Sequence, residues 1–151
     1  MPEHPKVVGD KTTLAVMAAL YEAGYDLYTP FGENTRVDLI VERNGELQRI
    51  QIKSGRLREG TVRFACCSTY GHHPAPALVR RTYHGDVDAF GVHCRDNERV
   101  YLIPITDLSN RRSAWLRVDP PRNNQRDRIR WAADYEIGRV AIEGLRAPSG
   151  A

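Results

Sequence analysis

Between Arg36 and Lys53 the chain alternates apolar and polar positions around one strong turn signal. Val37, Leu39 and Val41 take every second place before Asn44-Gly45, and Ile50 and Ile52 do the same after it. Period-two alternation marks a strand with one buried face. Asn-Gly between two such runs predicts a two-residue type I′ hairpin. Arg43 then faces Glu46, and the register carried outward sets Asp38 opposite Gln51 and Arg36 opposite Lys53. A one-residue slip would bury the charges and expose the valines, so the pattern itself specifies the pairing.

The pattern changes period on either side. Leu14-Ala-Val-Met-Ala-Ala-Leu-Tyr21 is strongly helix-forming, with Asp10 as a candidate N-cap and Gly24 as the stop. Leu14, Met17, Ala18 and Tyr21 share one stripe that Val16 and Leu20 thicken, predicting a well-buried helix. Residues 1–9 read as a flexible arm. A short strand follows at Tyr25–Thr29, and the Gly/Asn/Pro loop Pro30–Thr35 feeds the hairpin. Downstream, Ser54–Gly60 reads as a second turn and Thr61–Cys66 as a third strand. Thr69–Arg81 reads as a long surface loop carrying His72-His73. Ala89–Cys94 and Arg99–Pro104 form a further strand pair around a polar turn. Ile105–Ser109 suggests a short helix, Trp115–Val118 a strand and Trp131–Glu136 one helical turn. Arg139–Glu143 suggests a closing strand or tail, with a flexible tail at 145–151. No repeat or second domain is visible. One α/β domain over residues 10–144, with a mixed central β-sheet flanked by helices, is the expected architecture.

A length of 151 residues with 41% hydrophobic and 27% charged side chains suits one globular domain with a real core. No apolar run approaches the roughly 20 residues of a membrane span, and the N-terminus shows no signal-peptide stretch. Cytoplasmic residence is expected. Net charge is only +3, but arginine is clustered: at 56–63, at Arg80-Arg81, at Arg111, Arg112 and Arg117, and from Arg122 to Arg130. Arginine suits bidentate phosphate contact, so a polyanionic partner fits, as does simple surface charge. Three cysteines (Cys66, Cys67, Cys94) without a secretory context point to reduced thiols. With His72, His73, His84 and His93 they supply zinc-type donors, but in no standard structural spacing. Buried thiols and loop histidines are the plainer reading.

The non-core face of the hairpin gathers Asp38, Gln51 and Lys53, and phosphodiester cleavage has a use for each. Mg²⁺ is held by one or two carboxylates with carbonyl oxygens, waters and substrate phosphate. Asp38 offers the carboxylate, Gln51 an amide oxygen and Ile52 a backbone carbonyl. Lys53 offers a charge to orient the attacking water and to offset negative charge developing on the phosphate. The bland alternative is an ordinary polar sheet face. Arg56 and Arg58, after Lys53, suit phosphates flanking the scissile bond. Arg122, Asn123 and Gln125 carry side chains that read base edges or phosphates, or that tie down a Pro-containing loop.

Asp38…Gln51-Ile-Lys53, following a helix and a first strand, resembles the core of the PD-(D/E)XK nucleases. The closer resemblance is to the branch containing archaeal Holliday-junction resolvases and a Gln-containing group I intron homing endonuclease. Gly9-Asp10, Pro30-Phe-Gly-Glu-Asn34, Gln51–Leu57, Tyr83-His-Gly-Asp-Val-Asp88, Val100–Pro104, Arg122–Gln125 and Trp131–Glu136 extend the similarity over most of residues 9–137. It implies a restriction-endonuclease-like core and a Mg²⁺-dependent endodeoxyribonuclease, with Mn²⁺ as a substitute, leaving 5′-phosphate and 3′-hydroxyl ends. It also implies duplex or branched DNA as partner and a homodimer or homotetramer. Two positions depart from the pattern. Gln51 stands where a second acid is usual, and Thr13 stands where relatives often carry a helix-1 Glu. Asp10 or Glu33 would then have to supply the missing carboxylate. If neither does, the chain becomes a catalytically inactive DNA-binding or assembly module on the same fold.

Overall fold

The hairpin forms in the register that its turn dictates. In the computed structural model, which describes residues 2–32, 35–71, 78–109, 112–123 and 127–142, strand β2 (Leu39–Arg43) pairs antiparallel with β3 (Glu46–Arg58). Arg43 faces Glu46 and Leu39 faces Ile50. Asn44 and Gly45 both adopt positive φ, 53° and 81°, as the type I′ turn requires. Leu39, Val41, Ile50 and Ile52 are buried on the shared inner face.

Strand β3 is longer than the sequence suggests. The stretch expected as a turn, Ser54–Gly60, is mostly strand, and the reversal comes at Glu59-Gly60 (φ 49° and 75°) before β4 (Thr61–Ala65). Gly55 accounts for the difference. A Cβ there would lie 2.9 Å from Val92 Cγ1 and 3.0 Å from Val62 Cγ1, so the glycine serves close packing inside a strand, not a bend.

Helix α1 (Pro5–Glu22) also departs from expectation. It begins at Pro5 with His4 as N-cap, whose Nδ1 accepts from Lys6 N at 3.2 Å. Asp10 therefore lies within the helix and is not its cap, and residues 5–9 of the expected arm are helical. Proline in the first turn was the available signal. The buried face is Thr12, Ala15, Val16, Ala19 and Leu20, whereas Leu14 (59% exposed) and Tyr21 (70%) face outward. Apolar residues surround this helix on most sides, so bulk alone misjudged its phase. Small residues face the sheet because the helix sits close: a Cβ on Gly91 would fall 2.7 Å from Val16 Cγ1.

After β1 (Asp26–Tyr28), the sheet runs β1, β2, β3, β7 (Ala89–Cys94), β8 (Arg99–Pro104), β10 (Glu136–Arg139). The β3–β7 pair is parallel and its neighbours are antiparallel, giving the mixed α/β sheet expected. Every residue of β7 is buried, as befits a strand covered on both faces. On one face α1 packs over Leu39, Val41, Ile50, Ala89 and Val100. On the other, Phe90, Val92, Tyr101 and Ile103 meet Tyr83 and the inner residues of β4 and β9 (Ser113–Arg117). β4 leaves the main sheet by pairing the far end of β3, and β9 pairs β4.

The expected Thr69–Arg81 loop contains most of a separate antiparallel ribbon, β5 (Cys67–Gly71) with β6 (Leu78–Thr82); His72 and His73 lie outside the described residues. Single 3-10 turns occupy Ile105–Asp107 and Ala132–Asp134, and the closing strand starts at Glu136, earlier than expected. Cys66, Cys67 and Cys94 are free, buried thiols. Trp115 (51% exposed) and Trp131 (37%) stand at the surface, not in the core. No described helix is long and apolar enough to cross a membrane.

Candidate functional site

Asp38 sits just before β2 begins, where the chain diverges from β3. Its backbone N–H donates to Ile50 O at 2.9 Å, and its Oδ2 accepts from Ile52 N–H at 2.8 Å. The carboxylate thus takes over from the backbone as acceptor for the next β3 donor, just where the strands diverge. β3 itself is held straight by its parallel partner, from Ile50 opposite Ala89 to Gly55 opposite Cys94. Arg49 anchors the start of that pairing: its N–H and guanidinium both bond Asp88.

Burial raises the pKa of Asp38 above the ordinary carboxylate value, outweighing the Ile52 N–H bond and the nearby positive charge of Lys53, both of which lower it. A cation bound beside this half-buried carboxylate would favour its ionised form.

Gln51 and Lys53 follow on the same side of β3. The Gln51 amide lies beside the Ile52 carbonyl, with Nε2 3.4 Å from that oxygen; rotating the amide would exchange its nitrogen and oxygen there. Lys53 Nζ donates to Tyr83 Oη at 3.1 Å and lies 4.9 Å from the centroid of that ring. Tyr83 is 4% exposed, wedged edge-on against Phe90 with ring centroids 5.5 Å apart. From the other side the Arg36 guanidinium covers the Tyr83 ring at 3.7 Å, fixed by Asp86 at 2.5 Å, Ser68 Oγ at 3.0 Å and the Thr82 carbonyl. Lys53 is therefore positioned by a buried phenol whose own place is locked. The chain pattern revealed nothing of this contact, because Tyr83 and Lys53 are 30 residues apart. Tyr83 was visible only as part of a family-like motif.

Helix α1 closes the site. Asp10, Thr13, Gly9 and Lys6 line an open cleft of about 390 Å³ together with Asp38, Ile52 and Ser54. The helix is held there by a 2.8 Å hydrogen bond between Thr12 Oγ1 and Ser54 Oγ, a pair that sequence reasoning passed over. Asp10 is thus brought to the cleft of Asp38. Thr13 reaches it too, but its hydroxyl donates to Gly9 O at 3.0 Å within the helix. Glu33 lies outside the described residues, as does Gln125. Among the described residues no three His, Cys, Asp or Glu side chains converge as a metal set. What the cleft does offer is oxygen from Asp38, Asp10 and Ile52, with the Gln51 amide beside the Ile52 carbonyl. That donor set suits a hard divalent cation that keeps several waters, and does not suit zinc.

The remaining sequence candidates lie farther off. Arg56 is in an ion pair with Asp96 (Nε to Oδ2, 3.1 Å), which also accepts from Leu57 N–H. Arg58, at the end of β3, is exposed and its Nη1 reaches the Leu57 carbonyl at 3.4 Å. Arg122 and Asn123 are exposed in the segment after β9.

Comparison with known proteins bears on the fold and the family. No curated protein matches the chain in sequence. Among solved structures it is similar to a bacterial homing endonuclease, I-Ssp6803I, at 21% identity with a TM-score of 0.71, over 89% of each chain. At that identity the likeness speaks for the fold. A family model described as PD-(D/E)XK endonuclease matches residues 3–138, a span holding the helix, the hairpin and the whole sheet. The chain belongs to the PD-(D/E)XK endonuclease family.

Proposed function

We propose that this nuclease is a Mg²⁺-dependent endodeoxyribonuclease whose site is Asp38, Gln51, Ile52 and Lys53, with Asp10 completing the cleft. The observation that carries the reading is the placement of Asp38 against Lys53. A half-buried carboxylate is fixed on the Ile52 N–H, and an ammonium held by Tyr83 stands close enough to favour its ionised form.

Asp38, the Ile52 carbonyl and the Gln51 amide oxygen would hold the metal, with Asp10 reaching it directly or through water. Bound Mg²⁺ supplies a polarised phosphate oxygen and a water of lowered pKa. Lys53 orients the attacking water by hydrogen bonding and offsets the negative charge that grows on the phosphate. Tyr83 keeps Lys53 in one rotamer, so little orientation has to be found during the reaction. Arg58, Arg122, Asn123 and Gln125 would serve as DNA contacts, while Arg56 serves through its pair with Asp96. A resolvase-like or homing-endonuclease-like substrate, branched or duplex DNA, fits this reading. Self-association fits as well: Val7, Leu14 and Tyr21 stand exposed seven residues apart along α1, an apolar stripe suited to a second copy of the chain.

Asp38→Asn is the direct test. Asparagine retains an oxygen acceptor for Ile52 N–H, so the fold stays, while the charge is lost. Mg²⁺-dependent nicking of supercoiled DNA should vanish in Asp38→Asn and in Lys53→Ala. Undiminished cleavage by either variant refutes the assignment. A second reading, a DNA-binding module without cleavage, draws on Gln51 in an acid's place and on Thr13 turning its hydroxyl back to Gly9 O. It predicts no Mg²⁺ or Mn²⁺ binding by calorimetric titration.

A further inference from the structure

A second cleft, of about 640 Å³, opens well away from Asp38, over the outer face of β4 and β9. Thr61, Trp115 and Arg117 line it, and they belong to two rungs that cross three strands. In one, Arg58 faces Thr61 and Thr61 faces Arg117; in the other, Arg56 faces Arg63 and Arg63 faces Trp115. The alternate residues Val62, Phe64, Ala114 and Leu116 are buried in the core, so Arg63, Trp115 and Arg117 stand on the opposite, outer side of the strands. The Arg63 guanidinium lies over the exposed Trp115 ring at 4.2 Å. Arg128 and Arg130 form one wall, joined to β9 by Arg117 N–H donating to Arg130 O at 2.7 Å, and Arg112 adds to the lining.

Four guanidinium groups thus share one open cleft that, among the described residues, no carboxylate lines. Several arginines elsewhere are paired with carboxylates, Arg36 with Asp86, Arg49 with Asp88, Arg56 with Asp96, Arg99 with Glu136 and Arg139 with Glu98, and Arg63 beside the cleft lies 3.5 Å from Glu59 Oε2. Here Arg117 Nη1 reaches the Glu59 carbonyl at 3.5 Å and Arg130 Nη1 the Asp107 carbonyl at 3.4 Å, neutral groups in both cases. Arg130 Nε is buried without a hydrogen-bond partner. Like charges gathered in this way repel in the free protein, and a row of phosphates relieves them.

We propose that this arginine cleft binds the phosphate backbone of duplex DNA outside the catalytic cleft, an inference that rests on the nuclease reading. Interactions of this kind set register and orientation and carry no sequence information.

The test uses the full chain with Asp38→Asn, so that the DNA is bound and not consumed. Affinity for a fluorescent duplex is measured over a series of salt concentrations. Arg117→Gln with Arg128→Gln should weaken binding and reduce the slope of log K against log salt by about 2, near 0.9 for each phosphate no longer neutralised. Arg117→Lys with Arg128→Lys, which keeps the charge, should restore most of the slope. Arg43→Gln, at the end of β2 opposite the start of β3, should leave it unchanged. Circular dichroism melts confirm that each variant folds. An unchanged slope in the double Gln variant, or an equal loss per charge in Arg43→Gln, overturns the proposal. The two readings separate cleanly. Arginine-dependent binding without nicking by the unaltered protein rejects catalysis and supports the cleft. Nicking with an unaltered salt slope rejects the cleft and leaves catalysis in place.

Discussion

Removing one oxygen from Tyr83 isolates the hydrogen bond that positions Lys53. In Tyr83→Phe the ring remains, and with it the edge-on packing against Phe90 and the cover of Arg36 at 3.7 Å; only the acceptor of the 3.1 Å bond from Lys53 Nζ is removed. A hydrogen bond to a charged group contributes about 1.5–3 kcal/mol when buried. Lys53 is partly exposed, and water replaces some of the missing bond, so about 1–2 kcal/mol is the expected loss. If the bond orients Lys53 in the transition state, kcat falls about 5- to 30-fold. KM should hold, because binding of DNA does not depend on that orientation. Stability should fall by no more than about 1–2 kcal/mol, since no cavity opens. Tyr83→Ala is a poor substitute: losing a buried aromatic ring costs about 3–5 kcal/mol and confounds activity with unfolding. The assay is steady-state nicking of supercoiled DNA at saturating Mg²⁺, with a thermal melt for each variant. If Tyr83→Phe cuts at the unaltered rate while Lys53→Ala is inactive, Lys53 does not need its partner and the positioning argument fails.

Gly91→Ala should destabilise the fold by about 1–3 kcal/mol through overpacking, since the new methyl falls 2.7 Å from Val16 Cγ1 and 3.2 Å from Ile50 Cγ2; a urea midpoint that does not move would show that α1 is not seated on that glycine. Burial pushes the pKa of His93 down, although Nε2 bonds the Val140 carbonyl at 3.0 Å. A depressed folded-state pKa means stability that is present above the ordinary histidine value and lost as pH falls through the lowered one; urea midpoints across that range should show the fall, and His93→Gln should flatten it. Asp38 has the opposite sign. Its raised pKa favours the metal-free fold below the ordinary carboxylate value, and that contribution is lost as pH rises through the elevated one. Asp38→Asn should therefore be at least as stable as the unaltered protein at neutral pH without metal, as a thermal melt will show.

The chain pattern by itself determined the hairpin and what stands on it. Asn44-Gly45 admits one turn type, and the alternation of Leu39 and Val41 with Ile50 and Ile52 admits one register, so the pairing of β2 with β3 up to Leu39 opposite Ile50 was legible without coordinates, whereas Val37 packs with the Phe90 cluster on the other face. Strand identity was equally plain for β7 and β8, whose apolar runs flank a polar turn. Whatever depends on partners distant in the chain had to come from the tertiary structure. Helix α1 carries apolar residues nearly all round, so its phase was decided by the close approach of Val16 to Gly91 and Ala19 to Gly138, and not by hydrophobicity. Gly55 looked like a turn residue and proved to be the place where β3 passes close to Val92 and Val62. Asp10 read as a cap, yet the earlier start of the helix at Pro5 moves it to the cleft of Asp38. The lock on Lys53 and the arginine cleft over β4 and β9 arise from residues tens of positions apart. Local periodicity encodes which face of an element is apolar, but not which elements meet or how closely.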